Sequence, residues 1–154
     1  MVITPHVLAG AALGTQIANP LLVAVGAMAL HHVLDMVPHW DYDIMSSKKA
    51  GARKIALDVA CAGVATFALI WNLPPETQLL ALWGGFFGIL PDGFLALHIF
   101  SNEKYFPRYA RFHGFWHYLV IPKGQKPHFA LGLATQIFAV LVVVNIFAAT
   151  LWSG

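Results

Sequence analysis

His128-Phe-Ala-Leu-Gly-Leu-Ala-Thr-Gln-Ile-Phe-Ala-Val-Leu-Val-Val-Val-Asn-Ile-Phe-Ala-Ala-Thr-Leu-Trp152 contains no acidic or basic residue, and Gln136 and Asn145 are its main polar breaks. It is longer than the ~20 apolar residues that a helix needs to cross a bilayer. Working outward, Ala52–Trp71, with Asp58 inside it, and Thr77–Phe100 read as two further spans. The whole chain agrees: 154 residues, 58% hydrophobic, 10% charged, with a mean hydropathy of +0.68. A soluble fold of this size must still face water over much of its surface, and so little charge covers it poorly. The expectation is an all-α, polytopic membrane helix bundle in a single domain, with about five helices.

The N-terminal third is less regular. Pro5–Ala18 and Leu21–Met36 are apolar, separated by Asn19–Pro20 and ended at Val37–Pro38. Each is shorter than a full span, so a short helical hairpin is expected, either crossing a thinned bilayer or dipping into it. Ala9, Gly10, Ala12 and Gly14 would allow close helix packing. Pro91, inside the Thr77–Phe100 span, should free the carbonyl of Phe87. Between the spans, His39–Ala50 and Ser101–Pro127 read as polar loops, the second holding a short helix near His113–Val120.

All 9 lysines and arginines fall within Lys48–Lys54 and Lys104–Lys126. An N-terminal pair of crossings, or a dip, puts both segments on one side of the membrane. The positive-inside tendency makes that side cytoplasmic, with the N-terminus in and the C-terminus out of the cytoplasmic (inner) membrane. A net charge of +2, dispersed in this way, gives no case for nucleic-acid binding. The opening residues lack the basic n-region of a signal peptide, and the lone Cys61 reads as a packing residue.

Chemistry concentrates in His31-His-Val-Leu-Asp35 and His113-Gly-Phe-Trp-His117. Residues four apart share a helix face, so His31 meets Asp35 and His113 meets His117. His32 points about 100° away from His31 and is left out. His6, Asp58 and Asp92 are ionisable groups in apolar segments, where a carboxylate is costly without a partner or a wet cavity. Topology gathers these groups in the cytoplasmic half. Plainer readings stand beside this one: His39, His98 and His128 as interfacial residues, Asp41 and Asp43 as solvated loop acids, Asp58 paired with Lys54, and Trp40, Trp71, Trp116 and Trp152 as an interface belt.

At His6 with Gly10, His31-x-x-x-Asp35, Leu90-Pro91-Asp92 and His113-Gly-Phe-Trp-His117, the chain resembles the YdjM-like family of membrane-bound, metal-dependent hydrolases. The order of the motifs differs from that expected in the family, and Phe94 stands where a second aspartate would follow Asp92. The resemblance implies a divalent metal, zinc by default for a His/Asp site, held by His6, His31, Asp35, Asp92, His113 and His117. Asp41 is then the expected general base, and a phosphoester or acyl bond of a lipid-like or small-molecule substrate the expected target. Alternatives are a metal-ion or proton carrier using the same residues, which would need a polar path to the far side, and a haem-binding membrane protein with axial histidines.

Overall fold

A computed structural model describes residues 1–41, 44, 47–122, 125 and 127–152, the side chain of Leu151 apart. Asp43 lies outside the described residues. Those described form six helices and no strand: α1 (Ile3–Gln16), α2 (Pro20–Met36), α3 (Lys48–Ile70), α4 (Pro75–Phe100), α5 (Pro107–His117) and α6 (Phe129–Trp152). The chain is therefore all-α. Two of the three expected spans, α4 and α6, are long and apolar enough to cross a membrane. Only 28% of the most apolar stretch of α4 and 17% of that of α6 are buried inside the protein, unlike a core helix of a soluble domain. α3 is not among them: it begins inside the basic segment, so its first two turns carry Lys48, Lys49, Arg53 and Lys54.

Local chemistry sets most boundaries. The side chain of Asn19 accepts from the amides of Leu21 and Leu22, and Pro20 occupies the first turn of α2, where its missing N–H costs nothing. Ser47 caps α3 by accepting from Ala50, starting the helix earlier than its apolar run suggests. Pro107 likewise starts α5 early, so the helix ends at His117 instead of running on to Val120. α1 has no cap in its own sequence. Asp58, from α3, supplies one: its Oδ2 accepts from the amide of Ile3 at 2.6 Å, and its Oδ1 from the Thr4 hydroxyl. A carboxylate suits the positive end of the helix dipole. Asp58, read from the sequence as a possible partner of Lys54, thus serves as the cap of α1. Cys61 is exposed, not packed.

The central contact is α1 against α4, antiparallel, backbone to backbone. A Cβ at Gly10 would overlap the Gly84 carbonyl, one at Gly84 the Gly10 carbonyl, and one at Gly14 the Leu80 carbonyl. Glycine is required at these three positions, as in close membrane-helix packing. Next to them Leu8, Ala9, Ala11, Ala12, Ala81, Ile70, Leu73, Val143 and Phe147 form the apolar core. At the start of α3, Lys48 Nζ donates to the Ile99 carbonyl and to Asn102, both at 2.7 Å, tying that helix to the C-terminal end of α4.

Candidate metal centre

The same glycine register places the chemistry. His6 lies one turn before Gly10, with its carbonyl beside Gly88, and Asp92 lies one turn past Gly88. α2 packs on both helices and contributes His31 and Asp35, while α5 lies across α2 and α4 and contributes His113 and His117. All six residues expected as ligands meet there. His6, His31, Asp35 and His113 are buried, while the side chains of His117 and Asp92 are 17% and 22% exposed.

Asp35 is the hub. Its Oδ2 lies 3.0 Å from His31 Nε2, 3.2 Å from His117 Nε2 and 3.4 Å from His113 Nε2. Its Oδ1 lies 3.1 Å from His6 Nε2 and accepts from the Met1 ammonium at 2.9 Å. Asp92 Oδ1 is 3.3 Å from His113 Nε2 and 3.7 Å from His31 Nε2, and the two imidazole Nε2 atoms are 3.2 Å apart. Despite these short distances, Asp35 Oδ2, both nitrogens of His6 and Nδ1 of His113 have no aligned hydrogen-bond partner. Buried polar atoms without partners are costly. A bound cation would supply the partner that these atoms lack.

The spacing fits a cation. Four ligands at the ~2.0–2.1 Å typical of zinc with nitrogen or oxygen stand ~3.3–3.4 Å apart in a tetrahedron. His31 Nε2 and His113 Nε2 are 3.2 Å apart, and the pair lies 3.0 and 3.4 Å from Asp35 Oδ2 on one side and 3.7 and 3.3 Å from Asp92 Oδ1 on the other, two ligand triangles with edges of about that length. His31 Nδ1 donates to the Gly88 carbonyl at 2.8 Å, which leaves its Nε2 lone pair facing the carboxylates. A metal-binding histidine is oriented in this manner. The expected effect of Pro91 is thus displaced by one residue: α4 continues through it, and the carbonyl put to use is that of Gly88, not Phe87.

Among the described residues, three overlapping groups have ligand atoms close enough to hold a metal ion: His31, His32, Asp35 and His113; His6, His31 and Asp92; and Asp35, His39 and His117. Two members were not expected. His32, though it diverges from His31, shares a helix face with Asp35 and offers a ligand atom within 4.8 Å of it, and its ring lies 5.5 Å from that of His113 and stacks on Trp116 at 6.0 Å. His39 is buried instead of interfacial: Nδ1 bonds the Val37 carbonyl, and Nε2 lies 3.2 Å from Asp41 Oδ2. The one sequence sign of this was its place just beyond Pro38, a turn that returns the chain to the cluster. Tyr109 also went unread. Its hydroxyl is buried without a partner, and burial, with Asp92 and Asp35 nearby, raises its pKa.

Asp41 stands at the rim, 44% exposed, with Oδ1 3.5 Å from the Met1 ammonium. Burial opposes its ionisation, but that ammonium and the bond from His39 outweigh it and hold the carboxyl well below the usual range. Asp41, Asp92 and His117 border a cavity of about 160 Å³ that continues between α3 and α4. The histidines leave no slot for a porphyrin, since the His6 and His31 rings stack directly at 4.0 Å. The two amide side chains of α6 are engaged by neighbouring groups. Gln136 is used at the near end, accepting from Val2 and donating to Trp40 and Gly132, while Asn145 bonds back to Leu141.

No family model matches the chain, and no curated protein or solved structure does so either. The class that fold and site define is an all-helical protein with two possible membrane spans and a buried His/Asp cluster able to hold a metal ion.

Proposed function

We propose that the chain is a polytopic integral protein of the cytoplasmic membrane, N-terminus in and C-terminus out, and a metal-dependent hydrolase of the kind its motifs resemble, the YdjM-like family. The substrate is lipid-like, cut at a phosphoester or acyl bond at the cytoplasmic face. The observation that carries this reading is the convergence of His31, Asp35, Asp92 and His113, whose two histidine Nε2 atoms lie 3.0–3.7 Å from the carboxylate oxygens, with buried Asp35 Oδ2 and His113 Nδ1 left without a hydrogen-bond partner. Membrane residence is supported by the two long apolar helices, mostly unburied, and by confinement of every basic residue to two segments.

The four residues would hold the cation, zinc by ligand type. His6 flanks Asp35 Oδ1, and His117 flanks Oδ2. A bound divalent cation supplies Lewis acidity, lowering the pKa of water and polarising a phosphoryl or acyl oxygen. In hydrolysis the water oxygen bonds to phosphorus or the acyl carbon, the ester bond breaks, and the leaving oxygen is protonated. The proton lost by water needs an acceptor on the cavity wall. Asp41, expected as that base, is a weak one when held so acidic. His117 borders the same cavity with its Nε2 against Asp35, which would stabilise the imidazolium formed. Asp41 then serves to fix His39.

The apolar core beyond the cluster favours a hydrolase over a carrier. The test is hydrolysis of phosphatidic acid and of a water-soluble phosphate monoester by detergent-purified protein. Both activities should disappear with a chelator, return with Zn²⁺, and be missing in His31→Ala. Activity indifferent to chelation would refute the proposal.

A further inference from the structure

We infer that the gap between α3 and α4 is an acyl-chain subsite, through which a single-chain or double-chain lipid phosphate presents its head group to the His/Asp cluster. The inference deepens the hydrolase reading and rests on it only for the identity of the head group.

One cavity carries both ends of such a molecule. Its polar end is Asp41, Asp92 and His117; its apolar walls are Ile55 and Val59 on α3 and Ile89, Ala96 and Ile99 on α4. Ile55 and Val59 are one turn apart, while Ile89, Asp92, Ala96 and Ile99 follow one face of α4 at helical spacing. The stripe that lines the groove therefore includes the aspartate of the candidate centre. A chain lying along it brings its head to the cluster without any further positioning device. About 160 Å³ is sufficient for several chain carbons, since a cavity of ~150 Å³ accepts a benzene-sized group.

Gly93 marks the opening. A Cβ built there meets nothing within 4 Å, in contrast to Gly84 and Gly88 on the same helix, where a Cβ would collide with α1. The α1 side of α4 is closed by backbone contact and the groove side is free. Occupancy by an alkyl chain follows from the chemistry of the walls, and an anionic phosphate head from the cation-binding His/Asp set beside them. A peptide has no such case, because the groove offers no row of backbone or side-chain hydrogen-bond partners along its apolar length.

The test is photolabelling. Protein in phosphatidylcholine nanodiscs containing phosphatidic acid with a diazirine in its acyl chain is irradiated, and the labelled residues are mapped by mass spectrometry. Labels should fall on residues 55–59 and 89–99. Gly93→Phe, and independently Ala96→Phe, should reduce that labelling about tenfold or more, because each methylene denied burial costs about fourfold in affinity. Both variants should keep wild-type metal content and wild-type hydrolysis of the soluble monoester. Labelling elsewhere, or undiminished in both variants, overturns the subsite. Groove labelling in a protein that binds no metal and hydrolyses nothing upholds the subsite and removes the hydrolase. Metal-dependent hydrolysis of the soluble ester without groove labelling does the reverse.

Discussion

Along α1, Gly10 and Gly14 press their backbone onto α4, whereas one turn earlier His6 reaches into a nest of imidazoles and carboxylates. The same two helices thus build two unlike regions. Around the glycines, the core is Leu8, Ala11, Ala12, Ile70 and Phe147, all apolar. At the cluster, burial is as deep, but Asp35, His6 and His113 are left with unpartnered atoms. The difference teaches what each region is for. Close glycine contact fixes the register of α1 on α4, and the register decides that His6 and Asp92 share one site. An apolar region can be judged by its packing alone; a polar one at the same depth requires a partner that the chain's own atoms do not provide.

Substitutions can break that contrast, and the largest effect is expected at the hub. Asp35→Ala should abolish metal binding and, by leaving buried cations and imidazoles without their carboxylate, destabilise the fold by ~3–5 kcal/mol. Elemental analysis and thermal unfolding in detergent read the two effects, and retained metal would remove Asp35 from its central position. Gly84→Val attacks the other region: with a Cβ on the Gly10 carbonyl, overpacking should cost ~1–3 kcal/mol. It should weaken metal binding indirectly, through the lost register. If stability falls while metal affinity does not, the two regions are independent and the register argument fails.

His117→Ala tests the open side of the cluster. A residue that acts on the metal through Asp35 should lower metal affinity by ~10–100-fold when removed, as measured by competition with a chelator, with little change in unfolding temperature. Asp58→Ala removes the cap supplied to α1 from α3 and should cost ~1 kcal/mol. Its metal content should remain that of the wild type, since Asp58 belongs to neither half of the contrast. The smallest effect is reserved for Gly63→Ala. Its Cβ meets nothing within 4 Å, so the gain should be at most ~1 kcal/mol of helix stability. A large loss there would mean that glycines in this fold matter for a reason other than close approach.

Much of the architecture was readable because it depends on local chemistry. The charge-free run of α6, the Asn19–Pro20 break and the stop at Val37–Pro38 each announce a boundary within a few residues. That these six residues share one cluster was also readable, because His31 with Asp35 and His113 with His117 have helical spacing and a charge in an apolar segment demands a reason. What could not be read is tertiary. His39 looked interfacial because nothing local shows that the N-terminal residues fold back over it. Trp116 looked like a belt residue, yet it packs on His32 and Phe112 because α5 lies across α2. For Asp58 the plain reading was its own helical neighbour, Lys54, and nothing local pointed to its bonds with Ile3 and Thr4 at the start of α1. Contacts of this kind leave no period in the sequence.

The central claim is that the His/Asp cluster holds a metal. Elemental analysis of detergent-purified protein, beside His31→Ala and His113→Ala, tests it most directly. The account predicts about one or two equivalents of a divalent transition metal per chain in the wild type, depending on whether the overlapping ligand groups are filled singly or as a pair, and a near-complete loss in both variants. Wild-type protein free of metal, and no less stable for it, would contradict the account.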